Sequence, residues 1–326
     1  MPQPNKLPKF SKSTFLQKCL YFLALLIIII LLRNTFGNKQ EGFTAKGGEN
    51  NVANDGSADI FALKTDTLDI YDDFYSKFYD ILVYSKNKNK YEIDNMIKTV
   101  KPKKGCKCLD IGCGTGHHVN ELSTKGLNVT GIDISPSMIK MSKTNYPDRD
   151  FKIGDALHSD LFIPESFGLI TCFYHTIYYF MDKRTLLSNC YNWLIPGGFL
   201  IINMVNRDKF DPMIPTGSPF SLVSPQKYTK KRIMESIVQF TDYEYKAKFD
   251  LKDTVNTAND PNATMTETFT NKKNGHIRKN QHNLYMDSQA NVLDIAKKLG
   301  FIIYSKYELT ECNYEYTYIY ILEKPN

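Results

Sequence analysis

Short apolar runs separated by amphipathic stretches make up the central part of the chain. Apolar runs at 106–111, 128–132, 151–153, 167–173 and 199–205 predict five strands, and helical periodicity predicts the helices between them. Strands that alternate with helices imply a parallel, doubly wound sheet of the α/β class. Ligands of such sheets bind at the carboxyl ends of the strands, so the candidate site lies at that edge.

After the fifth strand the pattern changes to strict alternation, which is typical of half-buried antiparallel strands. Three such stretches, at 240–251, 264–270 and 276–286, predict strands inserted at about 207–286 on the substrate side of the sheet. A helix and a closing hairpin then complete a domain assigned to 67–326. These last elements are predicted at 288–299, 301–307 and 314–322.

A tyrosine-rich helix is predicted over 68–84, at the start of this domain. Tyr71, Tyr75 and Tyr79 follow one another at intervals of four residues and therefore share one face of that helix. Two interpretations stay open. The helix is packed on the domain, or it is a lid whose tyrosines cover the bound ligands.

The N-terminus carries an apolar run at 19–32 that would rise about 21 Å as a helix, short of a bilayer core of roughly 30 Å. Extension to 15–36 supplies the missing length if Lys18 and Arg33 reach the two interfaces. A single-pass membrane anchor within 1–36 is therefore predicted, followed by a flexible linker at 37–66. A cleaved signal peptide and a buried helix are the alternatives.

Charge and cysteine content narrow the choice of partners. Six basic residues and no acidic ones lie in the first 40 positions; removing them from the 41 basic residues leaves 35, equal to the 35 acidic residues. A neutral domain gives no reason to expect nucleic acid as a partner. The seven cysteines are predicted to be reduced thiols, and Cys106-x-Cys108 is not a zinc spacing, so no metal is expected.

The side of the membrane is left open by two conflicting observations. Lysines before the apolar run favour a cytoplasmic N-terminus, which would place the domain on the far side. Reduced thiols and a cytosolic cofactor favour the cytosolic side for the domain, and this side is slightly preferred. The oligomeric state is not indicated.

The most informative motif is the glycine turn at 112–116, which follows the first strand and opens a helix at His117. Glycines let backbone approach a ligand closely, and the helix start offers free N–H groups to an anion. Asp133 ends the second strand, where an acid binds ribose hydroxyls or caps the next helix. Asp155 follows the third strand, where it can accept from an adenine amine.

Four motifs in this order, LDIGCGTG (109–116), GIDIS (131–135), GDA (154–156) and LIPGGFL (194–200), resemble those of class I S-adenosylmethionine-dependent methyltransferases. The resemblance implies a Rossmann-like seven-stranded sheet with a reversed last strand, and S-adenosylmethionine as cofactor. It also implies a set of cofactor-binding residues. These are Asp110, Gly112, Cys113, Gly114, Gly116, Asp133, Ile134, Asp155, Ala156 and Tyr174.

Within that family, the tyrosine-rich helix followed by LDIGCGTGHH is similar to N,N-dimethyltransferases that act on nucleotide-linked amino sugars. The chain departs from them in its apolar N-terminal segment and its linker. The resemblance implies methyl transfer to nitrogen or oxygen of a small polar acceptor, an amino sugar being one candidate.

An amine acceptor must lose a proton, and a nearby histidine or tyrosine can take it. His175 is the first candidate base, His118 the second, and Tyr174 is placed on the path to the methyl group. The competing functions are a nicotinamide-dependent oxidoreductase, a catalytically silent membrane-tethered cofactor-binding scaffold, and a methyltransferase for protein or nucleic acid. The closing hairpin speaks against the oxidoreductase.

Overall fold

The structure, a computed structural model, describes residues 61–212, 232–252 and 260–326. The predicted membrane segment (15–36) and most of the predicted linker (37–66) lie outside these ranges, so both stay predictions. Within the described ranges, no helix combines the length and the apolar character that a membrane crossing requires.

The described part begins with a strand and three helices, β1 (Phe61–Lys64), α1 (Thr67–Ile70), α2 (Tyr75–Val83) and α3 (Lys86–Val100). Strand β1 falls in the stretch predicted to be linker. It pairs in parallel with residues 277–280, and four residues are too few for their own pattern to indicate a strand.

The predicted tyrosine-rich helix is interrupted between α1 and α2. The carboxylate of Asp72 accepts hydrogen bonds from the N–H groups of Phe74 and Tyr75, both at 3.0 Å. Arg278 binds the same carboxylate at 2.7 Å. A side-chain acceptor that caps free N–H groups starts a new helix, so Tyr71 lies in the turn before α2.

The remaining elements form two groups. In the first, helices connect most of the strands, as the sequence predicts, and the second begins with four consecutive strands. The first group is β2 (Lys107–Ile111), α4 (His117–Thr124), β3 (Asn128–Asp133), α5 (Pro136–Asn145), β4 (Asp150–Ile153), β5 (Phe167–Cys172), α6 (Lys183–Trp193) and β6 (Leu194–Val205). The second is β7 (Glu235–Gln239), β8 (Tyr243–Leu251), β9 (Ala263–Asn271), β10 (Ile277–Leu284), α7 (Gln289–Lys298), β11 (Ile302–Leu309) and β12 (Tyr314–Glu323).

The main sheet has seven strands in the order β11–β12–β6–β5–β2–β3–β4. Strands β2 to β6 run parallel, whereas β12 runs antiparallel to β6. Alternate side chains of β2 enter different cores: Leu109 and Ile111 face that of α6 and α7, and Cys108 faces that of α3 and α4. The predicted Rossmann-like sheet with a reversed last strand is confirmed.

A second sheet has the order β1–β10–β9–β8–β7, and its strands β7 to β10 are antiparallel. The predicted antiparallel insertion is therefore present. Strand β7 was not predicted because its pattern is inverted, with Ser236 buried and Ile237 61% exposed. Aromatic side chains join α2 to this sheet, as where Phe74 and Phe78 pack on Phe269 at centroid distances of 5.3 and 5.4 Å.

A substitution at Gly116 should test how tightly the glycine turn packs. Gly116 has a φ of +91°, and a Cβ there would lie 2.6 Å from Cζ of Phe151. Gly116→Ala should lower the free energy of unfolding by about 2–4 kcal/mol, because left-handed strain and overpacking add. Urea denaturation of the protein, followed by circular dichroism, measures this.

Gly105 is the matched control, since its φ is +76° and a Cβ there meets nothing within 4 Å. Gly105→Ala should cost about 1–2 kcal/mol, from the strain alone. Equal losses for the two variants would contradict the packing role assigned to Gly116.

Candidate active site

The carboxyl ends of β2, β3 and β5 meet at one edge of the main sheet, where a cavity of about 490 Å³ opens. A smaller cavity of about 30 Å³ lies beside it, and Tyr79, Gly112 and Thr176 line both. Sites for small molecules typically occupy roughly 300–1,000 Å³. The larger cavity by itself therefore has room for a small ligand.

The glycine turn after β2 forms part of the wall of both cavities. At Gly112, where φ is +67°, a Cβ would lie 2.4 Å from Cγ2 of Thr176, so only glycine fits there. Cys113 lines the smaller cavity and Gly114 the larger one. Gly116 lines neither, since it begins α4 and packs against the core. Its predicted place in the cofactor pocket stays a prediction.

Asp110 is a buried carboxylate at the end of β2 and lines the smaller cavity. Its Oδ1 accepts a hydrogen bond from Oγ1 of Thr171 at 2.7 Å. Burial raises the pKa of Asp110 to about 6. The side chain therefore lacks part of the solvation that a carboxylate needs, and a cationic ligand group in this cavity would supply it.

Asp133 lines the larger cavity at the end of β3 and connects two loops. Its Oδ2 accepts from the N–H of Gly114 at 3.0 Å, and its Oδ1 accepts from the N–H of Ser135 at 2.9 Å. Burial raises its pKa, while these two N–H groups act in the opposite direction. Each carboxylate oxygen has two lone pairs, so one on each oxygen is left for a ligand.

Three further predicted residues line the larger cavity, namely Ile134, Asp155 and Ala156. Ile134 is 39% exposed, although it is apolar. Asp155 accepts from the N–H of Leu157 through Oδ1 at 2.9 Å. An apolar side chain and a carboxylate on one wall suit a flat heterocycle with an exocyclic amine.

The predicted tyrosine stripe is divided by the turn before α2. Tyr71 and Tyr79 line the larger cavity, whereas Tyr75 is 1% exposed and lines neither cavity. The hydroxyl of Tyr75 donates to Oε1 of Glu267 at 2.8 Å, inside the inserted sheet. The packed interpretation therefore describes α2 on the second sheet, whereas the lid interpretation stays a prediction, with Tyr71 and Tyr79 at the cavity.

His118 and Tyr174 line the smaller cavity and belong to a buried polar cluster. Nε2 of His118 lies 3.1 Å from Oε2 of Glu92, whose Oε1 binds Nζ of Lys88 at 2.6 Å. Burial alone would raise the pKa of Glu92, but Lys88 and His118 hold it below its usual value. The Tyr174 hydroxyl donates to Oδ1 of Asn89 at 2.6 Å. The Nδ2 of Asn89 is buried without a hydrogen-bond partner among the residues that the structure describes, and Asn89 lines the same cavity.

His175, the first candidate base, lines neither cavity. Its ring lies 5.6 Å from that of Phe210, and burial lowers its pKa to about 4. The reason is the short 3-10 helix at Thr176–Tyr179, in which residues three apart share a face. This turn presents Thr176 and Tyr179 to the cavity, and the role of His175 as a base stays a prediction.

A line of hydrogen bonds that sequence reasoning missed starts at the wall of the larger cavity. The Tyr71 hydroxyl donates to that of Tyr179 at 2.8 Å, and the Tyr179 hydroxyl lies 2.8 Å from Nδ1 of His282. Nε2 of His282 lies 2.7 Å from Oε2 of Glu267. Tyr71, Tyr179 and His282 all line this cavity.

The alternation of residues along β9 and β10 indicates two members of this line, His282 and Glu267. His282 shares a face of β10 with the buried Leu284, and Glu267 shares a face of β9 with the buried Phe269. A polar side chain at an apolar-facing strand position needs a buried partner. This pattern would identify His282 and Glu267 as candidates for buried polar contacts, but it would not show that they bind each other.

Comparison with known proteins adds a family match over part of the chain. Residues 109–202 match a family model described as "Methyltransferase domain". The chain is 29% identical over 123 residues to a ubiquinone biosynthesis O-methyltransferase of Xylella fastidiosa, covering 36% of this chain and 49% of that protein. It is 28% identical over 152 residues to a dTDP-4-amino-2,3,4,6-tetradeoxy-D-glucose N,N-dimethyltransferase of Saccharopolyspora spinosa, covering 44% and 59%. The matches thus span about half the length of these curated relatives.

Among solved structures, an S-adenosylmethionine-dependent methyltransferase from Clostridium acetobutylicum superposes with a TM-score of 0.57. The identity is 16%, and the match covers 78% of this chain and 98% of that one, which shows a shared fold. Family match, ordered motifs and sheet topology agree. The sequence match over residues 109–202 and the shared fold of the described residues therefore agree in pointing to a methyltransferase domain.

Proposed function

We propose that the protein transfers a methyl group from S-adenosylmethionine to an amine of a small polar acceptor. The observation that carries this proposal is one cavity with two kinds of wall. Gly114, Asp133 and Asp155 belong to the cofactor motifs, and Tyr71 and Tyr179 line the same cavity.

The buried carboxylate of Asp110 suits the amino-acid end of the cofactor. Its pKa of about 6 shows that burial penalises the charged form, and an ammonium group in the adjoining cavity would offset that penalty. The unpartnered Nδ2 of Asn89 in the same wall is a donor for a carboxylate. One acid and one amide donor on this wall therefore match both charged groups of a methionine moiety.

Asp133 suits the ribose, because each of its oxygens retains a lone pair after the bonds to Gly114 and Ser135. Ile134 and Asp155 suit the adenine on the adjacent wall. When bound, the cofactor supplies a methyl group that is already activated on a sulfonium. The chain's own residues then position the acceptor and exclude water.

The charges around the larger cavity favour an amine over a phosphate-bearing acceptor. Among the residues that the structure describes there, no lysine or arginine occurs, whereas Asp66, Asp133, Asp155 and Asp182 all contribute to the wall. Phosphate recognition ordinarily uses arginine or lysine. The sugar amine of the Saccharopolyspora relative's substrate thus fits better than its nucleotide diphosphate.

The size of the cavity, about 490 Å³, also favours a small acceptor over a protein or nucleic acid. We further propose that residues 15–36 hold the domain at a membrane, with the cytosolic side preferred. This part of the proposal is supported by the sequence pattern alone.

Replacing Asp110 should have opposite effects on stability and on cofactor binding. Its folded pKa of about 6 lies above the ordinary value of 3.8, so ionisation costs free energy of folding as the pH rises through that window. Asp110→Asn should therefore stabilise the ligand-free protein by roughly 1–3 kcal/mol at pH 7.5 and by nothing below pH 3.8. It should also weaken binding of S-adenosylhomocysteine.

Urea denaturation at the two pH values and isothermal titration measure the two effects. Asp294→Asn is the control, since this carboxylate is 59% exposed on α7 and should change neither. A pH-independent stability change in Asp110→Asn would refute the desolvation argument.

Asp133→Ala should weaken binding of S-adenosylhomocysteine by about 1–3 kcal/mol, because two ribose hydroxyls lose their acceptor. Isothermal titration gives the affinity, and circular dichroism verifies the fold. Thr130→Val on the same strand is the control, since its hydroxyl bonds to Asp150 and not to the cavity. An unchanged affinity in Asp133→Ala would remove this residue from the site.

The acceptor class can be tested with matched pairs that differ in phosphate. Release of S-adenosylhomocysteine is measured with ethanolamine against phosphoethanolamine, and with 4-amino-4,6-dideoxyglucose against its dTDP-linked form. Catechol serves as an oxygen acceptor. We expect turnover with unphosphorylated amines. Turnover confined to the phosphorylated forms or to catechol would exclude the amine assignment, and a folded protein that binds no S-adenosylhomocysteine would exclude the function itself.

A further inference from the structure

The hydrogen-bonded line Tyr71–Tyr179–His282–Glu267, here called the tyrosine relay, has a defined direction. Glu267 is fully buried, and four donors surround its two oxygens. These are the hydroxyls of Tyr75 and Tyr245 on Oε1, and Nε2 of His282 and Nδ2 of Asn280 on Oε2. Because these four donors surround its oxygens, the group is a carboxylate, and the direction of its pKa agrees: burial alone would raise the pKa, but His282 and the other donors hold it below its usual value.

An ionised carboxylate offers only acceptors, so Nε2 of His282 must carry a proton. In a neutral imidazole the other nitrogen, Nδ1, is then an acceptor, and the Tyr179 hydroxyl at 2.8 Å donates to it. The oxygen of Tyr179 in turn accepts from the Tyr71 hydroxyl at 2.8 Å. Every donor in the relay therefore points toward Glu267, and the outer oxygen, on Tyr71, lies at the cavity wall.

We propose that the tyrosine relay takes the proton that the acceptor amine loses on methylation. This inference rests on the proposed function, because it concerns the acceptor of the same cavity. Each methyl group that replaces a hydrogen on nitrogen releases one proton. The N–H bond breaks and an O–H bond forms at Tyr71, whose own proton passes to Tyr179, and that of Tyr179 passes to Nδ1 of His282.

The result is an imidazolium held between Tyr179 and the carboxylate of Glu267. Each tyrosine gains one proton and loses one, so neither becomes a phenolate. This agrees with the buried hydroxyls of Tyr71 and Tyr179, whose pKa values burial raises. A base oriented by a buried acid is the arrangement that activates nucleophiles in other enzymes. Tyr71 and Tyr179 are the catalytic residues here, and Glu267 is a positioning residue.

The surroundings of His282 contain no other charge among the described residues that contact its ring or nitrogens. The titratable groups facing it are Glu267 on β9, Tyr75 on α2, and Tyr71 and Tyr179. Its protonation is therefore coupled to one carboxylate and to the hydroxyls of the relay. A relay role and a merely structural role for this polar cluster make different predictions.

The first measurement needs no acceptor. Nitrogen-15 spectra of histidine-labelled protein report the tautomer of each of the six histidines, and His282→Gln assigns the relevant signal. With S-adenosylhomocysteine present at pH 8, we expect His282 to be neutral and protonated on Nε2. Tyr179→Phe should shift its Nδ1 resonance, and Tyr245→Phe should not. A proton on Nδ1 at pH 8 would overturn the proposal.

The second measurement uses the best unphosphorylated amine from the acceptor panel. Tyr179→Phe and His282→Gln should lower kcat by about 10²–10³-fold, as loss of a general base does. Tyr245→Phe is the matched control, because it removes a buried hydroxyl from the other oxygen of the same carboxylate. It should change kcat by less than threefold.

In His282→Gln, kcat should increase as the pH rises, because the acceptor amine then loses its proton to solvent. The affinity for S-adenosylhomocysteine should stay within twofold in all variants. Equal losses of kcat in the three variants would show a structural cluster and refute the relay. Failure of the methyltransferase proposal would appear differently, as absent binding of S-adenosylhomocysteine by the unsubstituted protein.

Discussion

Glu267 is a carboxylate without access to solvent, and the geometry of the substrate side depends on how its charge is satisfied. Its four donors come from α2, β8 and β10. Each hydrogen bond to a charged group contributes about 1.5–3 kcal/mol, so the four bonds together hold these elements in one arrangement. The bond to Tyr75 fixes α2 on the inserted sheet. As a consequence Tyr71 and Tyr79, on either side of Tyr75, are held at the cavity wall.

The carboxylates at the edge of the main sheet accept fewer hydrogen bonds from the chain than Glu267 does. Asp133 makes two backbone hydrogen bonds and keeps a lone pair on each oxygen, and Asp110 has one side-chain donor and a raised pKa. Glu267 accepts four hydrogen bonds from the chain itself, whereas these two keep acceptor capacity that the proposed ligand can use.

The sequence predicted those features that depend on neighbouring residues. The strand, glycine turn and helix around Gly112, and the acids Asp133 and Asp155 after the next two strands, all belong to local patterns, and the parallel sheet brings them to one edge. The relay could not be predicted, because its hydrogen bonds join residues 108 and 103 positions apart through the packing of two sheets. His175 was preferred over Tyr179 because the 3-10 turn that selects between them leaves no periodic signal.

The acidic wall and the tyrosine relay are mutually dependent features of the proposed site. Carboxylates around a cavity attract an amine but also favour its ammonium form, which has no lone pair for attack. A cavity that holds Asp66, Asp155 and Asp182 therefore slows N-methylation unless the proton has a route away from the acceptor. A relay that ends at His282 and the buried carboxylate of Glu267 supplies that route, because the carboxylate balances the charge that His282 gains. In the proposed site, the carboxylates of the wall thus attract the acceptor, and the tyrosine relay activates it.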